Sequence, residues 1–257
     1  MKTKKQKFGS VVISLVSLLG IIGAFLLDPI AQDPEYHLFE DRRVVLGVPN
    51  FWNVISNLPF LLVGMMGMRA IRQSHKFLCI ADIKTAYNLF FLSVSLIALG
   101  SVYYHLLPGN GTLVWDRLPM TVAFMALLSI VIAEFISVHL GKLALWPLVF
   151  VGVLSVLYWY ITERNGEGDL RLYALVQFLP VLVIPLILIF FQSTFTNTSG
   201  YWYLLCAYSA AKVFEYFDAA IYDTFHLLSG HSLKHLVAAL AVFFLYRSYG
   251  GRESSQK

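Results

Sequence analysis

The sequence predicts an all-α membrane protein, a bundle of seven transmembrane helices with an additional transmembrane helix at the N-terminus. Of its 257 residues, 58% are hydrophobic and 13% are charged, whereas about a quarter of the residues in soluble domains are charged. A spanning helix needs about 20 mainly apolar residues. Eight stretches come close to that length, at residues 8–27, 51–71, 86–107, 117–138, 143–161, 172–191, 201–222 and 231–247.

The first apolar stretch follows a basic run, Lys2 to Lys7, which is also typical of a secretory signal. It is longer than the apolar core of a signal, and it ends in Leu26-Leu27-Asp28-Pro29 rather than in a small-residue cleavage site. We therefore predict a retained anchor; cleavage is the alternative and would leave seven helices. The predicted units are the anchor at 1–30, an outer loop at 31–50, a seven-helix domain at 51–247 and a cytoplasmic tail at 248–257.

The segments between the stretches are short and contain turn residues, as in Pro108-Gly109-Asn110-Gly111 and Asn165-Gly166-Glu167-Gly168. Most basic residues gather at the helix ends on one side of this arrangement, and the positive-inside rule makes that side cytoplasmic. Both termini are expected there, with the opposite side facing the periplasm of a bacterial inner membrane. The twelve basic residues are Lys2, Lys4, Lys5, Lys7, Arg69, Arg72, Lys76, Lys84, Lys142, Arg247, Arg252 and Lys257.

Two global features exclude other classes of protein. The net charge of +4 reflects this topology, so we expect no nucleic-acid partner. The only cysteines, Cys79 and Cys206, lie within or beside apolar helices in no spaced pattern, which argues against a disulfide framework or a thiolate metal site. The oligomeric state is left open by the sequence.

Five polar residues lie at the outer ends of predicted helices. Ionisable residues within membrane segments are energetically costly and usually mark a function. Ser101 and His105 are four residues apart and share one helical face, as do His231 and His235. Asp116 is predicted to open the next helix, after a ten-residue excursion from His105. We expect all five side chains to converge at one depth.

These residue types predict a catalytic metal site. Two imidazoles at positions i and i+4 form a platform for zinc, and a third from His105 would leave a fourth position for water. Zinc lowers the pKa of that water to about 7. Asp116 is then the candidate proton acceptor and Ser101 the candidate donor to an oxyanion. Other transition metals also suit imidazole ligands, and for a single histidine the plain alternative is a hydrogen bond between helices.

The motifs Phe51-Trp52-Asn53-Val54-Ile55-Ser56-Asn57, Ser101-x3-His105, Asp116 with Leu118-Pro119-Met120, and His231-x3-His235 resemble those of the alkaline ceramidase family. That family is part of a superfamily of seven-helix membrane hydrolases that includes adiponectin-receptor-like proteins. The resemblance extends from about residue 50 to the last helix. It implies a zinc ion on His105, His231 and His235, a proton-abstracting Asp116, an oxyanion-stabilising Ser101, and hydrolysis of the ceramide amide bond to a sphingoid base and a fatty acid.

The sequence departs from the family pattern in three places. Asn50 replaces the glutamate of an acidic calcium-binding cluster, and Asp33, Glu35, Glu40 and Asp41 are spaced differently, so a calcium site is not supported. Ser232, Leu233 and Lys234 replace aromatic residues between the last two histidines. The first helix has no family counterpart. These departures affect the expected substrate more than the reaction class.

Further polar residues receive weaker predictions. We expect Asn53, Asn57, Tyr222 and Asp223 to contact the substrate. Lys212 and Glu215, three residues apart, are predicted to form a structural ion pair, with headgroup binding as the alternative. Glu134 and His139 are expected at the membrane interface, away from the site.

The sequence therefore predicts a zinc-dependent hydrolase that cleaves a ceramide-like amide in a membrane lipid. Two alternatives remain. One is the same chemistry on an ester, in a phospholipase or an enzyme of acyl-lipid remodelling. The other is a heptahelical receptor or transporter in which the metal is structural.

Overall fold

The computed structural model describes residues 3–73 and 77–255. Within these ranges the chain forms α-helices joined by short connections, two 3-10 turns at Pro34–His37 and Ala81–Ile83, and two isolated β-bridges. The basic residues Lys2, Lys76 and Lys257 of the charge count lie outside the described residues. The helices are α1 (Lys4–Leu26), α2 (Phe51–Ile55), α3 (Leu58–Gln73), α4 (Lys84–Leu106), α5 (Asn110–Phe135), α6 (Val138–Arg164), α7 (Arg171–Phe190), α8 (Ser199–Tyr216), α9 (Asp218–Phe225) and α10 (Gly230–Gly250).

The prediction of an all-α membrane bundle is confirmed. Six spans among the described helices are long and apolar enough to cross a membrane, with α2 and α3 together forming one of them. A seventh results if α9 and α10, bent by 104° at their junction, count as one span. The seventh predicted stretch, 201–222, contains α8, which does not reach that apolarity in the described chain because it carries Lys212, Glu215 and several tyrosines.

The central element of the bundle is α5. It packs against α4, α6 and α7, and 67% of its most apolar stretch is buried. Helix α10 packs on α8 and α3. The first helix is peripheral: only 6% of its apolar stretch is buried, and it lies along α7 with the Phe8 and Phe190 rings 5.7 Å apart. Most of the α1 surface is therefore left for lipid.

Helix α5 begins earlier than the sequence predicted. The expected ten-residue excursion between His105 and Asp116 is wrong, because only Leu107–Gly109 separate α4 from α5. The Thr112 hydroxyl donates to the carbonyl oxygens of Leu107 and Gly109, at 2.6 and 2.9 Å, and this stabilises the early start. Asp116 consequently lies nearly two turns inside α5.

Glu134 is not interfacial as predicted. It is 1% exposed and accepts hydrogen bonds from both terminal nitrogens of Arg252, at 2.8 and 3.0 Å, and from the hydroxyls of Tyr87 and Tyr201. No sequence pattern indicates this contact, because Arg252 lies beyond the last predicted helix. The tail expected from Ser248 onward thus begins inside α10, and its Arg252 is buried in the bundle. His139 is exposed, as an interfacial residue would be.

Candidate metal centre

The three histidines chosen from the sequence lie together at one end of the bundle. His105 is in the last turn of α4, and His231 and His235 are in the first two turns of α10. Their ring centroids are 4.9 to 5.1 Å apart, and each offers a nitrogen within 4.8 Å of the others. All three side chains are buried. This arrangement is suited to holding one metal ion.

One hydrogen bond orients the His235 ring, and another holds the backbone at His231. Ser56 Oγ lies 2.9 Å from His235 Nδ1, and Ser56 also donates to the Asn53 carbonyl oxygen at 3.2 Å. In the tautomer that leaves His235 Nε2 free as a ligand, Nδ1–H donates to Ser56 Oγ. The backbone N–H of His231 donates to Asp218 Oδ1 at 2.7 Å, which fixes the start of α10.

The His105 side chain has a different environment. Its Nδ1 is buried without a hydrogen-bond partner among the described residues, although its backbone carbonyl accepts from Asn50 Nδ2 at 2.8 Å. Buried ring nitrogens normally have partners. An unpartnered ring nitrogen in a histidine that lies beside two other imidazoles is consistent with a metal ion completing the site. The Asn50 that replaces the family glutamate thus holds the end of α4.

Asp116 and Ser101 meet where α4 and α5 are in closest contact. Gly100 of α4 packs directly against the backbone of Trp115, and the neighbouring Ser101 side chain lies beside the Asp116 carboxylate. Ser101, Asp116 and His235 line one cavity of about 520 Å³. The five residues of the sequence prediction are therefore brought to one end of the bundle, and three of them line this cavity.

The outer segment between α1 and α2 covers the histidines. Phe39 is 3% exposed, and its ring centroid lies 4.6 Å from that of His105 and 4.9 Å from that of His231. Arg43 ties this segment to the α9–α10 connection by donating to the Leu227 carbonyl at 2.7 Å. Arg43 also pairs with Asp41 at 2.6 Å, so this acid of the supposed calcium cluster already has a cationic partner.

Arg117, next to Asp116, was not recognised from the sequence. Its guanidinium lies 4.2 Å from the Trp159 ring centroid and 4.5 Å from that of Tyr173, and it donates to Gln32 Oε1 at 2.6 Å. Cation–π contacts of this kind stabilise a buried arginine. These contacts of Arg117 hold the segment between α1 and α2 over α5. The apolar, aromatic character of α6 gave no hint of it.

The residues predicted to contact substrate differ in position. Asn57 lines the cavity, while Asn53 is fully buried behind it and accepts a hydrogen bond from Ser232 Oγ at 2.7 Å. Tyr222 stacks under Arg43 at 5.5 Å, and Asp223 is exposed. Neither Tyr222 nor Asp223 is among the described residues that line the cavity, so their role in substrate binding rests on sequence position alone.

The predicted ion pair of α8 is present. Lys212 Nζ and Glu215 Oε2 are 2.7 Å apart, and a second lysine, Lys234 of α10, contacts the other carboxylate oxygen of Glu215 at 2.5 Å. All three residues line the cavity. The sequence did not reveal the contact of Lys234, because it joins two helices.

The protein is a helical membrane bundle in which three buried histidines lie beside an aspartate and a serine. These features place it among membrane proteins with a candidate catalytic metal site. The chain belongs to the ceramidase family, because the family model Ceramidase matches residues 43–249. No individual curated protein matches the chain. The matched range begins after α1 and covers every helix that contributes to the site. Membership points to hydrolysis of a ceramide amide.

Proposed function

We propose that the protein is a zinc-dependent hydrolase that cleaves the amide bond of a ceramide-like membrane lipid into a sphingoid base and a fatty acid. The observation that carries this proposal is the convergence of the buried His105, His231 and His235 beside a cavity that His235, Asp116 and Ser101 line. Family membership supports the substrate class.

The donor set fits zinc. Three imidazoles are typical ligands of catalytic zinc, and they leave a fourth position open. The unpartnered His105 Nδ1 and the orientation of His235 by Ser56 support this assignment. When bound, zinc supplies a Lewis acid that makes hydroxide available at neutral pH.

The protein's own residues then handle the protons. Asp116 accepts the proton of the attacking water, and it returns a proton to the nitrogen of the leaving amine as the C–N bond breaks. Ser101 Oγ, which lies beside Asp116, donates to the oxygen of the carbonyl as negative charge develops there. Phe39 keeps bulk water from the histidines.

The cavity supports a lipid substrate. It extends from Asp116 and His235 along α4, α5, α7, α8 and α10, and most of its lining is apolar, for example Val94, Leu127 and Ile184. Apolar lining accommodates an acyl chain, with the scissile amide near the polar end. We propose entry from the bilayer between helices.

We also propose that both termini are cytoplasmic and that the site faces the periplasmic side. The support is the positive-inside count. Arg69, Arg72, Lys84 and Arg247 lie at the ends of helices remote from the histidines. The N-terminal helix is proposed to remain as an anchor.

The test is an assay of purified protein with an N-acyl sphingoid base and with a phospholipid carrying the same acyl chain, read by mass spectrometry. We expect amide cleavage in the wild type. Asp116→Asn should lose about 100-fold or more of this activity while it keeps its metal. The exposed Asp82→Asn at the opposite end of the bundle is the matched control.

Two results would favour the alternatives. Faster release of fatty acid from the phospholipid would identify an ester hydrolase instead. For a receptor with a structural metal, the wild type would cleave neither lipid, and a folded His231→Ala variant would leave the lipids of the cell unchanged.

A further inference from the structure

A bridged pair of lysines lies in the cavity wall close to the candidate metal ligands. Glu215 of α8 contacts Lys212 through one carboxylate oxygen, at 2.7 Å, and Lys234 through the other, at 2.5 Å. Lys234 directly precedes His235, and both line the cavity. Its side chain is only 15% exposed. This group places an ammonium ion beside the proposed reaction centre.

The group carries more positive than negative charge. Two ammonium groups share a single carboxylate. Each ammonium has three N–H donors. Within the described part of the chain, Glu215 is the only hydrogen-bond partner of either ammonium group. Donors therefore remain free for a ligand in the cavity.

The other charged residues of the cavity form no ion pair with these two lysines among the described residues. Asp116 lies beside Ser101 and interacts with Lys234 only at longer range. Arg117 is held by Trp159, Tyr173 and Gln32. Asp33 Oδ1 accepts from the backbone of Glu35 at 2.9 Å. None of these residues hydrogen-bonds to Lys212 or Lys234, so the α8–α10 side of the cavity is its cationic side.

Pairing a second lysine with the Glu215 carboxylate has an electrostatic cost, because the position is largely buried. An ion pair of Lys212 with Glu215 would already neutralise α8, so a structural role does not require Lys234. Excess charge in a low-dielectric cavity is stabilised when a counter-ion binds there. Lys234 also interacts electrostatically with His231, His235 and Asp116, which places it within range of a group bonded near the scissile amide.

We propose that Lys212 and Lys234 bind an anionic oxygen group, a carboxylate or a phosphate, on the lipid substrate close to the amide that is cleaved. Among ceramide-like lipids, the preferred substrate is then one that carries an acidic group near the amide. The choice of substrate rests on the proposed hydrolase function, whereas the binding of the anion is independent of it.

The turnover test compares three lipids with the same acyl chain: a neutral N-acyl sphingoid base, its phosphate ester, and an N-acyl amino acid with a free carboxylate. We expect kcat/KM to be at least about 10-fold higher for one of the anionic lipids, as charge-assisted hydrogen bonds predict. Which of the two is preferred identifies the anionic group.

Variants separate recognition from structure. Lys234→Met and Lys212→Met each leave Glu215 with one lysine partner, and thermal unfolding of each variant checks that the fold is retained. We expect each variant to lose the preference for the anionic lipid, with little change for the neutral one. Glu215→Gln frees both ammonium groups and should strengthen the preference for the anionic lipid. If the three residues had only a structural role, Glu215→Gln would behave like the lysine variants. The exposed Lys142→Met is the control.

A binding measurement decides the proposal without turnover. Dodecyl phosphate and dodecanoate are compared with dodecanol in thermal unfolding of the purified protein. Selective stabilisation by an anion in the wild type, reduced about 10-fold in apparent affinity in Lys234→Met, supports the inference. Equal effects of the three ligands, or an equal loss for all three lipids in the lysine variants, would overturn it. Absence of all hydrolysis with anion selectivity intact would refute only the hydrolase function.

Discussion

Gly100 of α4 lies against the main chain of Trp115 in α5, so closely that a Cβ atom at Gly100 would overlap the Trp115 carbonyl group. The contact is between backbones, which cannot move aside as a flexible side chain can. It sits one residue from Ser101 and one residue from Asp116. The placement of Ser101 beside Asp116 therefore depends on the small size of residue 100.

We predict that Gly100→Ala impairs activity more than stability. The added methyl group must push α4 from α5 and separate Ser101 from Asp116. A misplacement of about 1 Å in a catalytic group can cost about 100-fold in rate. The measurement is lipid hydrolysis per folded, metal-loaded protein.

The matched control is Gly23→Ala in α1, where a Cβ atom has no neighbour within 4 Å. It should keep wild-type activity. Full activity in Gly100→Ala would contradict a role for this helix contact in positioning Asp116.

The part of the site that depends on one helix could be predicted from the sequence. Residues four apart share a helical face, so His231 and His235, and likewise Ser101 and His105, were correctly paired within their helices. Hydropathy then placed the ends of α4 and α10 at the same side. This is why the convergence of the three histidines could be expected before any coordinates were known.

Contacts between helices could not be predicted in the same way. Lys234 with Glu215, and Arg252 with Glu134, join residues 19 and 118 positions apart, and no periodic pattern relates such positions. The start of α5 at Asn110 was missed because Pro108 and Gly109 indicated a longer turn. Gly100 had one available signal, a small residue beside Ser101 in an apolar helix, which is typical of close helix packing.

Removal of the Ser56 hydroxyl should weaken metal binding without removing a ligand. Ser56 Oγ lies 2.9 Å from His235 Nδ1 and fixes the ring so that the other nitrogen points at the site. Loss of such an outer contact typically costs about 10–100-fold in metal affinity. We expect this decrease in Ser56→Ala, measured by zinc competition with a chelator.

Ser209→Ala is the control for this experiment, since Ser209 is exposed on α8 and donates within its own helix. Its zinc affinity should equal that of the wild type. Unchanged affinity in Ser56→Ala would show that His235 does not need this partner.

An ion pair at the α6–α7 connection predicts a pH dependence of stability. Hydrogen bonds from Arg171 lower the pKa of Asp169 to about 2, below the usual value of about 3.9. Arg171 also donates to the Leu27 carbonyl at 2.6 Å, which ties the end of α1 to α7. A depressed carboxyl pKa stabilises the folded state above pH about 4, and that contribution is lost as the pH falls toward 2.

We therefore expect the wild type to unfold at a higher temperature than Asp169→Asn at neutral pH, with the difference shrinking between pH about 4 and 2. Thermal unfolding in detergent across this range is the measurement. A difference that stays constant with pH would contradict the ionised form as its source.

The buried pair of Glu134 and Arg252 predicts large but compensating effects on stability. Both side chains are fully buried, and the hydroxyls of Tyr87 and Tyr201 also donate to the carboxylate. Removing one partner leaves a buried charge unpaired, which costs about 3–5 kcal/mol. We expect this loss in Arg252→Met, measured as the free energy of unfolding.

The double variant Glu134→Gln with Arg252→Met distinguishes pairing from packing. Because it leaves no unpaired charge, it should recover much of the loss, since buried pairs are often no more stable than uncharged replacements. The exposed Arg247→Met should change little. The pair lies at the end of the bundle remote from His105, so zinc affinity should be unchanged in every folded variant. A double variant as unstable as Arg252→Met alone would mean that the arginine stabilises the bundle through its contacts with the Tyr249 and Phe195 rings, at 4.1 and 3.8 Å, rather than through Glu134.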